Sequence, residues 1–236
     1  MLGSAQVRVT RQDGHRIVYT GDLSLGPSLT ATPTTTAHCD TLVIESTFGH
    51  PKYRFPPRDE VYDQVADWAR VQLERDVRPV LLAYSLGKSQ ETIAQLARRG
   101  LRICAHPSIH DIVSLYAQLG VDVAARRFEG TFEPGEVGLF PPFRRGSALY
   151  QVGPIATAVL TGWAIEPWGA RRSGADIAFP VSDHADFPSL LQYATETGAR
   201  EVVTVHGFAD ELAVGLRKAG LFARAVSERV QLQLPW

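Results

Sequence analysis

Between Arg58 and Val123 the chain alternates apolar runs with amphipathic ones, and that rhythm limits the fold more than any other feature. Arg58 to Arg75 carries Val61, Val65, Trp68, Ala69 and Leu73 at helical spacing. Pro79 to Tyr84 is a continuous apolar strand, followed by Ser85-Leu86-Gly87-Lys88-Ser89. Gln90 to Arg99 reads as a helix, Leu101 to Ala105 as a strand, Pro107 to Leu119 as a helix and Val121 to Val123 as a strand. Strands alternating with helices of this length predict βαβ units and a mostly parallel sheet, so the fold class is α/β.

The flanking segments have a different texture. Gln6 to Thr10 alternates apolar and polar residues, Asp13-Gly14 centres a turn, and Arg16 to Thr20 resumes as a strand, which predicts a β-hairpin. Ser24 to Ala37 is rich in Thr, Pro and Ser and reads as loop, and Thr41 to Ile44 is a short buried strand. Three prolines between Pro51 and Pro57 mark a boundary. Residues 129 to 146 show no clear period, Ala156 to Trp163 returns as a strand, and Glu166 to Gly174 reads as loop. Ile177 to Val181, Pro188 to Thr197, Glu201 to Val205 and Ala209 to Ala219 then give strand, helix, strand and helix, with two short strands closing the chain.

Composition adds bounds. With 44% hydrophobic and 21% charged residues, the 236-residue chain is an ordinary globular sequence of one large or two small domains. No apolar run is long enough to span a bilayer, and the first seven residues lack a signal-peptide pattern, so a cytoplasmic location with no membrane partner is the default expectation. Cys39 and Cys104 form no CxxC pair and are expected to be reduced and structural. Residues 50 to 175 hold 16 Lys and Arg against 13 Asp and Glu, a net of +3, while the rest holds 8 against 12, a net of −4. Arginine pairs at 98-99, 126-127, 144-145 and 171-172 all fall in the basic section. A basic module beside an acidic one suits a phosphate-rich ligand held near an acid or metal site. The plainer reading is arginines that solubilise helix ends.

Chemistry concentrates where predicted strands end. Asp22, Glu45, His184 and His206 each stand at the carboxyl end of a strand, the side on which open α/β sheets collect ligands. Imidazole and carboxylate are donors that zinc accepts, and a catalytic zinc activates bound water. His184 lies in Ser182-Asp183-His184-Ala185-Asp186-Phe187 at a strand-to-helix turn, where Asp186 could equally be a helix N-cap ahead of Pro188. The tryptophans Trp68, Trp163 and Trp168 and Phe143 read as core or interface residues, with stacking on a base as the sharper alternative for the tryptophans.

In order, Tyr19-Thr20-Gly21-Asp22, Leu42 to Gly49, Ser85 to Glu91, Thr161-Gly162-Trp163-Ala164, Ser182 to Asp186 and Val205-His206-Gly207 resemble the motifs of β-CASP nucleases of the metallo-β-lactamase fold. The Thr-Gly-Trp-Ala segment is most similar to that of bacterial ligase-associated DNA exonucleases. The resemblance implies the carboxyl-terminal part of a metallo-β-lactamase (αββα) domain, residues 1–49 and 173–236, with a β-CASP α/β domain inserted as residues 50–172. It implies metal-dependent phosphodiester hydrolysis of nucleic acid: a zinc-dependent DNA 3′-end processing exonuclease of DNA repair, or an RNA-processing nuclease of the same family. Asp22 would bridge two zinc ions and His206 would ligate the second. His184 would protonate the leaving oxygen and Glu45 would orient it. Lys88, Arg171 and Arg172 would face backbone phosphates. Single-stranded nucleic acid or nucleic-acid ends would be the ligand, with DNA ligase and helicase as functional associates.

Family members also carry an HxHxDH motif ahead of the segment matching Met1, and a histidine directly before the stretch matching Leu2-Gly3-Ser4-Ala5-Gln6. Neither occurs here. Of the implied ligands only Asp22 and His206 are present, and a catalytic zinc takes at least three from protein. The expectation is a piece of a longer reading frame, an incomplete or inactive form that shows no metal-dependent cleavage alone. The competing expectation is a non-catalytic nucleic-acid-binding module. An apolar face left where further strands would pack predicts a homodimer or poor solubility.

Overall fold

The computed structural model describes residues 1–142, 149 and 152–226. Phe143, the 144-145 arginine pair and a strand expected after residue 226 lie outside the described residues. The chain divides into two compact units: Met1–Leu2, Pro27–Thr32 and Phe55–Asp183 form the larger, and Gly3–Gly26, Pro33–Arg54 and His184–Trp236 the smaller.

In the larger unit, helices α1 (Arg58–Glu74), α2 (Lys88–Ala97) and α3 (Pro107–Gln118) alternate with strands β4 (Arg78–Leu82), β5 (Arg102–Ala105) and β6 (Arg126–Arg127). Strands β7 (Glu136–Phe140), β8 (Ile155–Leu160) and β9 (Ile177–Phe179) complete a parallel sheet of order β6-β5-β7-β4-β8-β9. Successive side chains on a strand point to opposite faces. Leu81, Ile103, Leu139 and Ala158 therefore pack with Val61, Val65, Ile93 and Leu96, while Val80, Leu82, Cys104, Phe140 and Val159 build a second cluster with Phe128. Burial on both faces is why these strands read as continuous apolar runs.

Three details differ from expectation. Residues 121–123 form no strand; Val123 is buried as loop, and the residues that pair with β5 are Arg126 and Arg127. The aperiodic stretch after 129 holds β7, an interior strand buried at every position. Its Glu136 and Gly138 are poor strand formers, so pattern alone conceals it. Glu136 is held by Arg126 through Nε at 2.7 Å and Nη2 at 2.6 Å, and by the Glu133 amide at 2.7 Å. Burial alone would raise the Glu136 pKa, but the Arg126 and Glu133 donors hold it below the ordinary value. Finally, β9 pairs with β8, so the larger unit extends to Asp183 rather than ending at Arg172.

In the smaller unit, β1 (Val7–Thr10) and β2 (Arg16–Tyr19) form the hairpin, with Gly14 at φ +83° in its turn. Parallel pairing then runs from β2 through β3 (Thr41–Glu45) and β10 (Glu201–Val205) to β11 (Ala223–Ala225). Val18, Leu42, Ile44 and Val202 face a core closed by Phe187, Leu190, Leu212 and Leu216. Those residues come from the two helices Phe187–Glu196 and Ala209–Lys218. On the hairpin's other face Val7, Val9 and Tyr19 are 55%, 53% and 42% exposed. Cys39 and Cys104 are buried free thiols. No helix among the described residues is long and apolar enough to cross a membrane.

Arg126→Met would leave Glu136 charged and buried without its partner. The expected cost is about 2–4 kcal/mol, reduced because the arginine retains some access to water. Urea unfolding of the larger unit measures it, and an unchanged midpoint would show that the pair is not stabilising.

Candidate active site at the strand ends

The parallel register of β2, β3 and β10 brings their carboxyl ends side by side, with Tyr19 opposite Val43 and Glu45 opposite Val205. Glu45, at the end of the central strand, is 1% exposed. A buried carboxylate must be satisfied by donors. The Leu23 amide donates to Oε1 at 2.8 Å and the Thr47 amide to Oε2 at 3.1 Å. His184 Nδ1 lies 3.0 Å from Oε1 and 3.1 Å from Oε2. Burial pushes the Glu45 pKa up, but the His184 hydrogen bond and charge, followed by the Thr47 and Leu23 donors, bring it below the ordinary glutamate value. Glu45 is thus an anion at neutral pH. It fixes the tautomer with Nδ1–H toward itself, which makes Nε2 the atom of the ring suited to proton transfer.

This hydrogen bonding ties together the segments that carry Asp22, Glu45, His184 and His206. Leu23 follows Asp22, and its carbonyl accepts from the Ala185 amide at 2.5 Å, while its own amide serves Glu45. Ser46 follows Glu45, and its hydroxyl is shared between the carbonyls of Val205 at 2.7 Å and His206 at 2.6 Å. His206 adopts φ +64°, a left-handed conformation that is uncommon outside glycine and clusters at functional turns. Gly207 follows at φ +49°, and a Cβ there would sit 2.5 Å from the Ser46 carbonyl oxygen. Asp22 and His206 are both exposed. The carboxyl ends of β2, β3 and β10 meet through register, whereas His184, in the loop ahead of the helix Phe187–Glu196, stands at no strand end of that sheet and reaches Glu45 through Nδ1.

The two readings of the Ser182–Phe187 stretch are compatible. Asp186 caps the following helix by accepting from the Ser189 amide at 3.1 Å, with Pro188 in the first turn. The His184 ring faces Glu45 through Nδ1. Phe48, buried, lies edge-on to the imidazole with ring centroids 6.1 Å apart, and Tyr53 packs on Phe48 at 5.0 Å. Sequence reasoning gave these walls no role, although Phe48 precedes the predicted boundary prolines and Tyr53 lies among them. The main-chain donors of Leu23 and Thr47 carry no sequence signal.

The expected phosphate contacts fall in the larger unit. Lys88, in the first turn of α2, is 5% exposed, with Nζ 3.7 Å from Asp183 Oδ2 and 5.5 Å from the Tyr84 ring centroid. Burial lowers its pKa and Asp183 opposes that shift. Its charge is directed inward to Asp183. Arg171 and Arg172, in a short helix, are exposed.

A catalytic zinc takes three protein donors. Asp22 and His206 are two candidates, and among the described residues no group of three or more His, Cys, Asp or Glu side chains is placed to hold a metal. The residues present therefore do not fit a complete zinc site.

Because Glu45 titrates below its unfolded value of about 4.5, its contribution is full above that value and is lost as pH falls through the folded pKa. Stability is therefore expected to fall in acid, and Glu45→Gln to flatten that limb while costing about 1–3 kcal/mol at neutral pH. Urea midpoints at neutral and acidic pH read both effects. An acid limb identical in variant and wild type would remove Glu45 as its source.

No protein-family model matches the chain. A solved structure of a protein of unknown function from Enterococcus faecalis V583 superposes with a TM-score of 0.56 over 95% of this chain and 59% of its own, at 13% identity, a likeness of fold alone. A protein named "Probable DNA ligase" from Opitutus terrae is 39% identical over 236 residues, 99% of this chain and 23% of that protein. An "RNase J-like protein" from Methanocaldococcus jannaschii is 33% identical over 95 residues, 39% of this chain and 22% of that protein. The chain thus spans under a quarter of either relative. An "Uncharacterized protein in lig 3'region" of Acidianus ambivalens is 34% identical over 101 residues, 43% of this chain and 68% of that protein. By that coverage, the chain belongs to the same family as the Acidianus protein.

Proposed function

We propose that this chain supplies the proton-donating side of a site that hydrolyses phosphodiester bonds in nucleic acid. The observation that carries the reading is the Glu45–His184 pair, in which a buried anion orients an imidazole through one ring nitrogen. Expulsion of an alkoxide from phosphorus needs a proton, and a positioned imidazolium beside a carboxylate supplies one. His184 Nε2–H would protonate the leaving oxygen, and Glu45 would stabilise the charged imidazole before transfer. Asp22 and His206 stand at the same sheet edge and would join a zinc site whose further donors come from outside the described residues. The names of the Opitutus and Methanocaldococcus relatives, a ligase and an RNase J-like protein, support nucleic acid as the substrate class. Within that class the resemblance favours a β-CASP exonuclease acting on DNA ends in a ligase context.

A second reading, a non-catalytic nucleic-acid-binding module, is favoured by the exposed Trp168, Arg171 and Arg172 of the larger unit. One assay separates the two. End-labelled single-stranded DNA and RNA are incubated with zinc or manganese and a form of the protein that carries the further metal donors, with EDTA as control, and wild type is compared with His184→Ala. A general acid is worth about 10²–10⁴-fold. The expected loss in the variant is of that size for a natural diester and small for a p-nitrophenyl ester, whose leaving group needs no proton. Equal losses on both substrates would refute the role of His184. Strand binding without EDTA-sensitive cleavage by wild type would leave the binding module.

A further inference from the structure

The larger unit carries an aromatic and basic surface that the strand-end site does not use. Trp163 lies in the 3-10 helix Gly162–Ile165, and Trp168 immediately precedes the short helix Gly169–Arg172. Their rings stack, with centroids 5.9 Å apart and planes inclined by 27°. The Arg172 guanidinium carbon lies over the Trp168 ring, 5.8 Å from its centroid, within the range of a cation–π contact. Trp168 is 39% exposed, and Arg171 and Arg172 are exposed beside it.

The local chain holds this stack in place. Thr161 Oγ1 accepts from the Trp163 amide at 3.3 Å, the Trp163 carbonyl accepts from the Glu166 amide at 3.0 Å, and the Glu166 carbonyl accepts from the Gly169 amide at 2.9 Å. A Cβ on Gly169 would lie 2.5 Å from the Trp163 carbonyl oxygen and 2.8 Å from the Ala164 Cα, so only glycine lets the two turns approach this closely. Two acids border the surface. Asp176 is engaged by the Thr157 amide at 2.7 Å and hydroxyl at 2.8 Å, and Glu166 ends the 3-10 helix.

The other described arginine pairs serve the fold. Arg99 bonds Asp63 at 2.8 Å, Arg126 bonds Glu136 at 2.6 Å and Arg127 bonds Asp111 at 2.6 Å. Arg171 and Arg172 form no ion pair among the described residues. An exposed indole backed by a second indole, with two cations in the next turn, suits a ligand that presents flat π faces and negative charge in alternation. A single strand of nucleic acid does so at every nucleotide, whereas a duplex hides its base faces.

We propose that Trp168, backed by Trp163, is a stacking platform for an unpaired base of single-stranded nucleic acid, with Arg171 and Arg172 holding the flanking phosphates. The proposal rests on the nucleic-acid reading above and adds to it a base-stacking site in the larger unit. The test is fluorescence anisotropy of labelled oligothymidylate over a salt series, with wild type, Trp168→Ala, Trp168→Phe and the double variant Arg171→Ala with Arg172→Ala. Thermal melts confirm that each variant folds. Trp168→Ala is expected to weaken binding on the order of 10- to 100-fold, and Trp168→Phe to restore it to within about 3-fold of wild type, since the ring rather than the indole N–H does the stacking. The double arginine variant is expected to reduce the slope of log affinity against log salt by about 1.4, two contacts at the single-strand value. Wild-type affinity in Trp168→Ala, or no binding by wild type, overturns the proposal. So does a Trp168-dependent self-association without strand binding, which would make the surface a protein contact. Failure here is separable from failure of the nuclease reading. Undiminished strand binding by Trp168→Ala alongside His184-dependent cleavage would remove the platform alone. Trp168-dependent binding with cleavage indifferent to His184→Ala would remove the nuclease reading alone.

Discussion

One buried charge organises the edge of the smaller unit's sheet where β2, β3 and β10 end. Glu45 sits at the end of the central strand with almost no access to water, and a carboxylate so placed is tolerable only when its oxygens are occupied. The occupants come from three places in the chain: the Leu23 amide after the hairpin, the Thr47 amide two residues on, and the His184 imidazole some 140 residues later. Satisfying one anion therefore fixes the loop that carries Asp22, the turn after the central strand and the strand-to-helix turn with His184. Ser46 extends the same lock to His206. The orientation of the imidazole is thus a by-product of solving a desolvation problem.

The sequence made the strand-helix rhythm legible because both physical signals were strong there: apolar runs buried on two faces, and helices with one apolar stripe. It concealed β7 because that strand contains Glu136 and Gly138, which are acceptable only after Arg126 arrives from another strand and Phe132 and Val80 close around the glycine. The apparent strand at Val121 to Val123 erred in the opposite way, since a buried loop yields the same alternation as a strand. Residue identity drew attention to Asp22, Glu45, His184 and His206, but what aligns the ends of β2, β3 and β10 is register, and what brings His184 to Glu45 is a hydrogen bond across some 140 residues, neither of which a local pattern encodes. The amide donors to Glu45 were invisible because every residue but proline has one.

The basic residues show the limit of counting charge. The middle of the chain is net positive, yet most of its described arginine pairs are turned to carboxylates of the same unit. Lys88, which stands out in sequence beside Gly87, is drawn into the interior toward Asp183. Charge that a ligand can use is charge the fold has not already neutralised, and only the structure distinguishes the two.

The hairpin face bearing Val7, Val9 and Tyr19 has a thermodynamic consequence of its own. Any surface laid over it would be driven by release of water from apolar side chains. Such association carries a negative heat-capacity change, strengthens on warming from the cold and responds little to moderate salt. Contact with a polyanion at arginines behaves oppositely, weakening steeply as salt rises. The two units therefore present surfaces with different salt responses: rising ionic strength would empty an arginine surface while leaving an apolar one little changed.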